Sequence, residues 1–179
     1  MSGSVGAIPP LIVVLGVSGS GKTTVGALIA KELGVPFVDA DSLHPAVNVA
    51  KMASGTPLDD EDRWPWLARV GEELAGASRT GSGLVMACSA LKRSYRDAIR
   101  AKAPDLFFVH LSADRDALAL RTTGRSGHFM PPSLLDSQLA TLEQLQREEP
   151  GIIVDVSPPV VEVVADAISR ISADISTLR

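Results

Sequence analysis

Leu11-Ile-Val-Val-Leu15 runs directly into Gly16-Val17-Ser18-Gly19-Ser20-Gly21-Lys22-Thr23, and Thr24 follows. Five apolar residues rich in β-branched side chains read as a short strand buried on both faces. The next eight match Gly-x4-Gly-Lys-Ser/Thr. Phosphate oxygens need several inward-pointing backbone N–H groups, and glycines let the chain turn tightly enough to form that nest without side chains in the way. A helix starting near Gly21 adds its positive dipole end. Residues 16–24 are therefore expected to bind a nucleotide. Lys22 reaches the β- and γ-phosphates, and the Thr23 hydroxyl is the expected protein ligand of Mg²⁺.

The pattern repeats outward. Pro36-Phe-Val-Asp39, Gly83-Leu-Val-Met-Ala-Cys88, Leu106-Phe-Phe-Val-His-Leu111 and Gly151-Ile-Ile-Val-Asp155 read as further strands, and each gap holds an amphipathic stretch. That alternation predicts a three-layer α/β fold, a five-stranded parallel sheet flanked by helices. Val25, Leu28, Ile29 and Leu33 form one helical stripe, and Gly34 supplies its stop. Near the C-terminus Ser157 is the expected N-cap, with Pro158 and Pro159 in the first turn. Val160, Val163, Val164, Ala167, Ile168 and Ile171 form the buried stripe behind them. No repeat, low-complexity segment or long linker interrupts the 179 residues, so residues 1–179 are expected to form one domain with 1–8 as a loose tail.

Composition narrows the function. Apolar residues make up 45% of the chain but arrive in short runs, so no transmembrane segment is expected, and Met1–Pro10 lacks the features of a secretory signal. A cytoplasmic protein is the expectation. A net charge of −4 gives no field to attract nucleic acid, so anionic ligands must be held by local cations. Lys92, Arg93 and Arg96 form one basic cluster, and Arg121 and Arg125 another. Cys88 is the only cysteine and closes an apolar run, which favours a buried thiol over a nucleophile.

Other loops decide what the nucleotide is used for. The Asn-Lys-x-Asp signature of GTP switches is absent, and Asp155, followed by Val156, reads as a strand-end residue. Phe37-Val38-Asp39-Ala40-Asp41 offers a better acid pair. Period-two alternation places both carboxylates on one side, at the carboxyl edge of a parallel sheet where ligands bind. Asp39 is assigned to the metal, Asp41 to orienting the acceptor hydroxyl and taking its proton. The competing reading is two solvated loop acids with capping duty. Asp59-Asp60-Glu61-Asp62 reads as acids gathered at a helix N-terminus, and Trp64 and Trp66 as packing residues.

Several longer motifs add a family resemblance: Asp39-Ala-Asp41-Ser-Leu-His44-Pro45, Lys51-Met-Ala-Ser-Gly-Thr-Pro-Leu-Asp-Asp60, Asp62-Arg63-Trp-Pro-Trp-Leu67, Cys88-Ser-Ala-Leu-Lys-Arg-Ser-Tyr-Arg-Asp97, Arg125-Ser-Gly-His128-Phe-Met130 and Leu135-Asp-Ser-Gln138. Over nearly its full length the chain resembles the thermoresistant-type gluconate kinases, in the same fold group as shikimate and nucleoside monophosphate kinases. The resemblance implies the P-loop kinase fold, ATP and Mg²⁺ as cosubstrates, D-gluconate as acceptor, 6-phosphogluconate as product and a homodimer. It places His44, Lys51 and Arg63 on the acceptor side, where gluconate needs a cation and several hydrogen-bonding groups. Lys92 and Arg93, at a strand's carboxyl end, are positioned to face substrate, whereas Arg96 and Arg100 read as solvated helix residues. Residues 121–132 resemble the mobile lid of these kinases. There Arg125 is the expected transition-state cation, Arg121 packs along the adenine and His128 meets substrate, while Gln138 beyond the lid is an acceptor-side candidate. Leu142-Glu-Gln-Leu-Gln-Arg-Glu-Glu-Pro150 departs from the family's Leu-Glu-x-Pro stretch, and Cys88-Ser-Ala-Leu stands where shikimate kinases carry a glycine triplet.

Overall fold

Five consecutive apolar residues cannot sit at a sheet edge without exposing one face to water, and β1 (Leu11–Leu15) accordingly lies at the centre of a five-stranded sheet. The computed structural model describes residues 8–123 and 132–177. It orders the strands β2-β3-β1-β4-β5, all parallel, with β2 at Phe37–Asp39, β3 at Leu84–Ala87, β4 at Phe107–Ser112 and β5 at Gly151–Asp155. Each strand lies where the sequence pattern puts it. Between and after them run α1 (Lys22–Leu33), α2 (Ala46–Ala53), α3 (Asp60–Thr80), α4 (Arg93–Lys102), α5 (Arg115–Thr123), α6 (Pro132–Thr141) and α7 (Val160–Thr177).

Alternation along β1 divides the core. Ile12 and Val14 face α1 and α7 with Val109, Ile29 and Ala167, while Val13 and Leu15 face α3 and α4 with Met86, Leu67 and Ile99. A smaller cluster of Val17, Leu91, Leu118 and Leu135 lies beside the loop after β1 and ties α5 and α6 to it. The order of strands places β1 between β3 and β4, so the chain departs to opposite sides of β1 and leaves a crevice at the carboxyl edge.

Helix ends follow local chemistry, with one correction. Gly34, at φ 66°, closes α1 as expected. The acids at 59–62 form a capping box: Asp59 accepts from the Asp62 N–H at 2.9 Å, and Asp62 accepts from the Asp59 N–H at 3.0 Å. Ser157, however, is not the N-cap of α7. Its N–H and hydroxyl both donate to Asp155 Oδ1, at 2.9 and 2.7 Å, and the first helical bonds run to the Pro159 carbonyl. The strand-end carboxylate engages the serine before the two prolines, so the helix starts at Val160, whose side chain remains exposed rather than joining the buried stripe.

Arg96 is the larger correction. It is fully buried, not solvated: Nε and Nη2 donate to Glu149 at 2.7 and 3.0 Å, and Nη1 donates to the Leu91 and Glu143 carbonyls at 3.0 and 3.1 Å. These bonds pin residues 143–149, the stretch that departs from the family pattern, against α4. Removing one partner of a buried pair leaves an uncompensated charge. Arg96→Ala is expected to lower unfolding free energy in urea by about 3 kcal/mol, with the Arg96→Met/Glu149→Met double substitution losing less than the single one.

Candidate active site

β1 delivers its chain end to the crevice, and glycines let the loop after it fold tightly. A Cβ on Gly16 would lie 2.9 Å from the Leu111 carbonyl oxygen and 2.6 Å from Ser20 Oγ, so a larger residue there would push the loop off the sheet edge. Gly21 takes φ 89° and turns the backbone into α1 with no side-chain cap, leaving the first N–H groups directed at the crevice. Val17 O accepts from the Ser20 N–H (3.2 Å), the Ser20 hydroxyl (2.7 Å) and Lys22 Nζ (3.1 Å), which folds the lysine over its own loop.

The acid pair converges on this loop, though by a different route from strand alternation. β2 ends at Asp39, and Ala40–Leu43 form a single 3-10 turn, so the period-two argument fails for Asp41. Asp39 itself brings the two together: Oδ2 accepts from the Thr23 hydroxyl at 2.8 Å, while Oδ1 accepts from the Asp41 N–H at 3.0 Å. The turn is also held from below, because the buried Trp66 indole N–H donates to the Ala40 carbonyl at 2.7 Å. Asp41 opens to solvent through the crevice, yet the surrounding walls desolvate its carboxyl. That burial, with Asp39 beside it, raises its pKa against the opposing pull of Lys22. Cys88 closes β3 beneath, and burial raises its thiol's pKa strongly, so it stays protonated as a packing group.

The opposite wall comes from α2, α3 and the start of α4. His44 stacks on Trp66 with ring centroids 4.3 Å apart, and the side-chain amide nitrogen of Asn48, in the first turn of α2, lies 3.3 Å from its Nδ1. Burial first, and then Arg63, lowers the His44 pKa to about 4. Trp66 is thus both a packing residue and a platform, whereas Trp64 is partly exposed, edge-on to Tyr95. Lys51 is joined to Asp62 and, at 3.4 Å, to Asp59; Lys92 chelates Asp60 at 3.0 and 3.1 Å, and the Tyr95 hydroxyl donates to the same carboxylate. Both lysines are held charged by these partners, Lys51 by Asp62 first and Lys92 by Asp60. Arg63 lies 5.7 Å from the Tyr95 ring centroid and, among the described residues, forms no ion pair with a carboxylate. Arg93 turns instead to Asp97 and Glu148.

Behind the loop, Gly19, Gly21 and Thr24 share a largely apolar pocket with Leu120, Arg121, Val156, Pro158 and Val160. Arg121 belongs to the last turn of α5, and its Nη2 donates to the Val156 carbonyl. An apolar slot next to a phosphate cradle suits a flat nucleobase.

The profile of the shikimate kinase family matches residues 18–171. The gluconokinase of Gluconobacter oxydans is 51% identical over 82% of this chain and 82% of its own length. The thermoresistant gluconokinase of Escherichia coli is 41% identical over 90% and 93%. The chain belongs to the gluconokinase branch of that kinase family. A crystal structure of a gluconokinase from Sinorhizobium meliloti superposes with a TM-score of 0.88 at 49% identity, covering 97% of both chains.

In this family member Lys22, Thr23, Asp39, Asp41, His44 and Arg63 lie around one crevice. Arg125 and His128 lie outside the described residues. Gln138 lies on α6, and its amide oxygen meets the Ser18 N–H of the phosphate loop. Sequence reasoning missed Tyr95 and Asn48. No helical spacing signalled the second, because His44 is extended and α2 begins only at Ala46. It also missed His110, fully buried in β4, whose ring nitrogens have no hydrogen-bond partner among the described residues. Burial, then Arg96, lowers its pKa to about 4 against the pull of Glu149.

Both histidines bind protons less readily in the folded chain than the 6.5 of the free side chain. Between pH 6.5 and 4 the unfolded chain therefore binds more protons, so this part of the stability is complete above pH 6.5 and is lost as pH falls through about 4. Unfolding midpoints in urea are expected to fall over that window, less so in His110→Leu. NMR titration should find both rings neutral at pH 7.

Proposed function

We propose that this protein transfers the γ-phosphoryl group of ATP to the terminal hydroxyl of D-gluconate, giving 6-phosphogluconate. The observation that carries the reading is the Asp39 carboxylate, which holds Thr23 of the phosphate loop on one oxygen and the turn bearing Asp41 on the other. A triphosphate seated on residues 16–24 then ends opposite a carboxylate. Phosphoryl transfer asks little covalent chemistry of a protein and much positioning, so this juxtaposition is the main requirement. Asp41 orients the acceptor hydroxyl and takes its proton. A raised pKa makes it a stronger base than a free aspartate.

Each anion has a cation. Lys22 leaves the Val17 carbonyl for the phosphates, and Arg63 takes the gluconate carboxylate beside the neutral ring of His44. Lys51 and Lys92, held by the acids at the start of α3, present donors to the sugar hydroxyls, and Asp60 and Asp62 present acceptors. The motif resemblance supports Arg125 as the cation on the transferring group, His128 at the acceptor and Arg121 along the adenine. Thr23 and Asp39 supply a hydroxyl and a carboxylate, which suit Mg²⁺, a hard ion that retains waters and phosphate oxygens in its shell. When bound there, the ion would neutralise charge on the β- and γ-phosphates. Family resemblance also supports a cytoplasmic homodimer, which light scattering in solution would check against the chain mass of 18.8 kDa.

ADP release measured with ATP, magnesium and a panel of sugar acids is the deciding experiment. Gluconate should be turned over and uncharged glucose should not; absence of gluconate-dependent ADP release would overturn the reading. In the same assay Asp41→Asn is expected to lower kcat by about 10²–10⁴ with nucleotide affinity retained, and the wild-type rate should fall as pH drops through the Asp41 pKa. Arg63→Ala should raise the KM for gluconate by roughly tenfold or more with a smaller change in kcat.

A further inference from the structure

Gln138 interrupts an otherwise apolar stripe. Leu135, Gln138, Leu139 and Leu142 recur at helical spacing along α6 and its end, and the three leucines pack in the cluster that includes Val17 of the phosphate loop. A polar side chain set among packed leucines needs a partner. Gln138 finds it 120 residues away, where its Oε1 accepts the Ser18 N–H at 2.6 Å.

The peptide carrying that N–H is held from both sides. Its carbonyl is Val17 O, which faces into the loop and accepts from Lys22 Nζ, the Ser20 hydroxyl and the Ser20 N–H. In a planar trans peptide the C=O and N–H point in opposite directions, so the Ser18 N–H points out of the phosphate nest, and it is there that Gln138 grips it. We infer that Gln138 is a positioning residue for phosphoryl transfer: it clamps the Val17–Ser18 peptide from outside and so fixes the wall against which Lys22 is staged. When Lys22 moves to the phosphates, Val17 O loses one of its three inner partners, and the outer clamp joins the two remaining Ser20 bonds in keeping the peptide from rotating. Gln138 thus acts on the nucleotide side, through the loop, rather than by touching gluconate. The inference rests on the phosphate loop holding ATP, as proposed above.

The test pairs Gln138→Leu, which removes the acceptor oxygen at similar volume, with Gln138→Glu, which keeps one. In the wild type and both variants, kcat, the KM values for gluconate and ATP, thermal unfolding and the ¹⁵N–¹H resonance of Ser18 are measured. Gln138→Leu is expected to lower kcat about tenfold, leave the KM for gluconate within about twofold and shift the Ser18 amide proton upfield. Gln138→Glu should restore most of kcat and keep the amide shift near that of the wild type. A raised KM for gluconate with kcat retained would make Gln138 an acceptor contact and overturn the inference. So would an unmoved Ser18 resonance, an unchanged kcat, or a loss of activity that merely follows the unfolded fraction. Because the Ser18 resonance is read without substrate, failure of the clamp is distinguishable from failure of the kinase reading, which wild-type turnover tests by itself.

Discussion

One carboxylate joins the two halves of the crevice. Asp39 gives one oxygen to Thr23 in the first turn of α1 and the other to the backbone of Asp41, so the phosphate loop and the acceptor-side turn are fixed relative to each other by a group of a few atoms. Everything around it serves that placement. β2 is only three residues long, yet its pairing with β3 sets Asp39 opposite Ala87, and β3 in turn pairs with β1, so the acid and the loop leave neighbouring ends of one sheet. The indole of Trp66 holds the far side of the turn, and thereby connects the core of α3 to the position of Asp41.

An acidic protein that binds two anions must concentrate its cations, and this chain does so in a graded way. Lys22 rests on its own loop, within reach of phosphates. Lys51 and Lys92 are paired with carboxylates of the α3 N-terminus, which fixes their long side chains and keeps them charged. Arg63 keeps its guanidinium beside Tyr95 and His44, where burial first and the Arg63 charge second disfavour protonation of the imidazole. Arg96 is turned inward: its charge is paired inside the protein with Glu149 and backbone carbonyls, where it secures the segment leading into β5. Counting cations in a sequence cannot separate these cases, because burial and pairing, rather than residue type, decide which charge remains available.

Periodicity and glycine placement made the five strands, the phosphate loop and the α1 stop legible, since these depend on backbone sterics and on the pattern of apolar residues along a local stretch. The acids of 59–62 were equally legible as a helix start, because a capping box is complete within four residues. Boundaries that hinge on competition between two local partners were less so. Ser157 has the character of an N-cap, but Asp155 two residues earlier takes its hydrogen bonds. Asp41 lies beside Asp39, but not through strand alternation, since a 3-10 turn replaces the continued strand that the alternation argument assumed.

The sequence by itself determined the parallel α/β architecture, the nucleotide cradle and the family, because each is written in contiguous residues whose spacing has a direct steric or hydrogen-bonding meaning. Only the tertiary structure decided that Arg96 is buried against Glu149, that Trp66 stacks under His44, and that Gln138 faces the phosphate loop. Those pairs stand 53, 22 and 120 residues apart in the chain. No local propensity encodes such a meeting; it follows from the crossing of helices over a sheet whose strand order differs from the order of the chain.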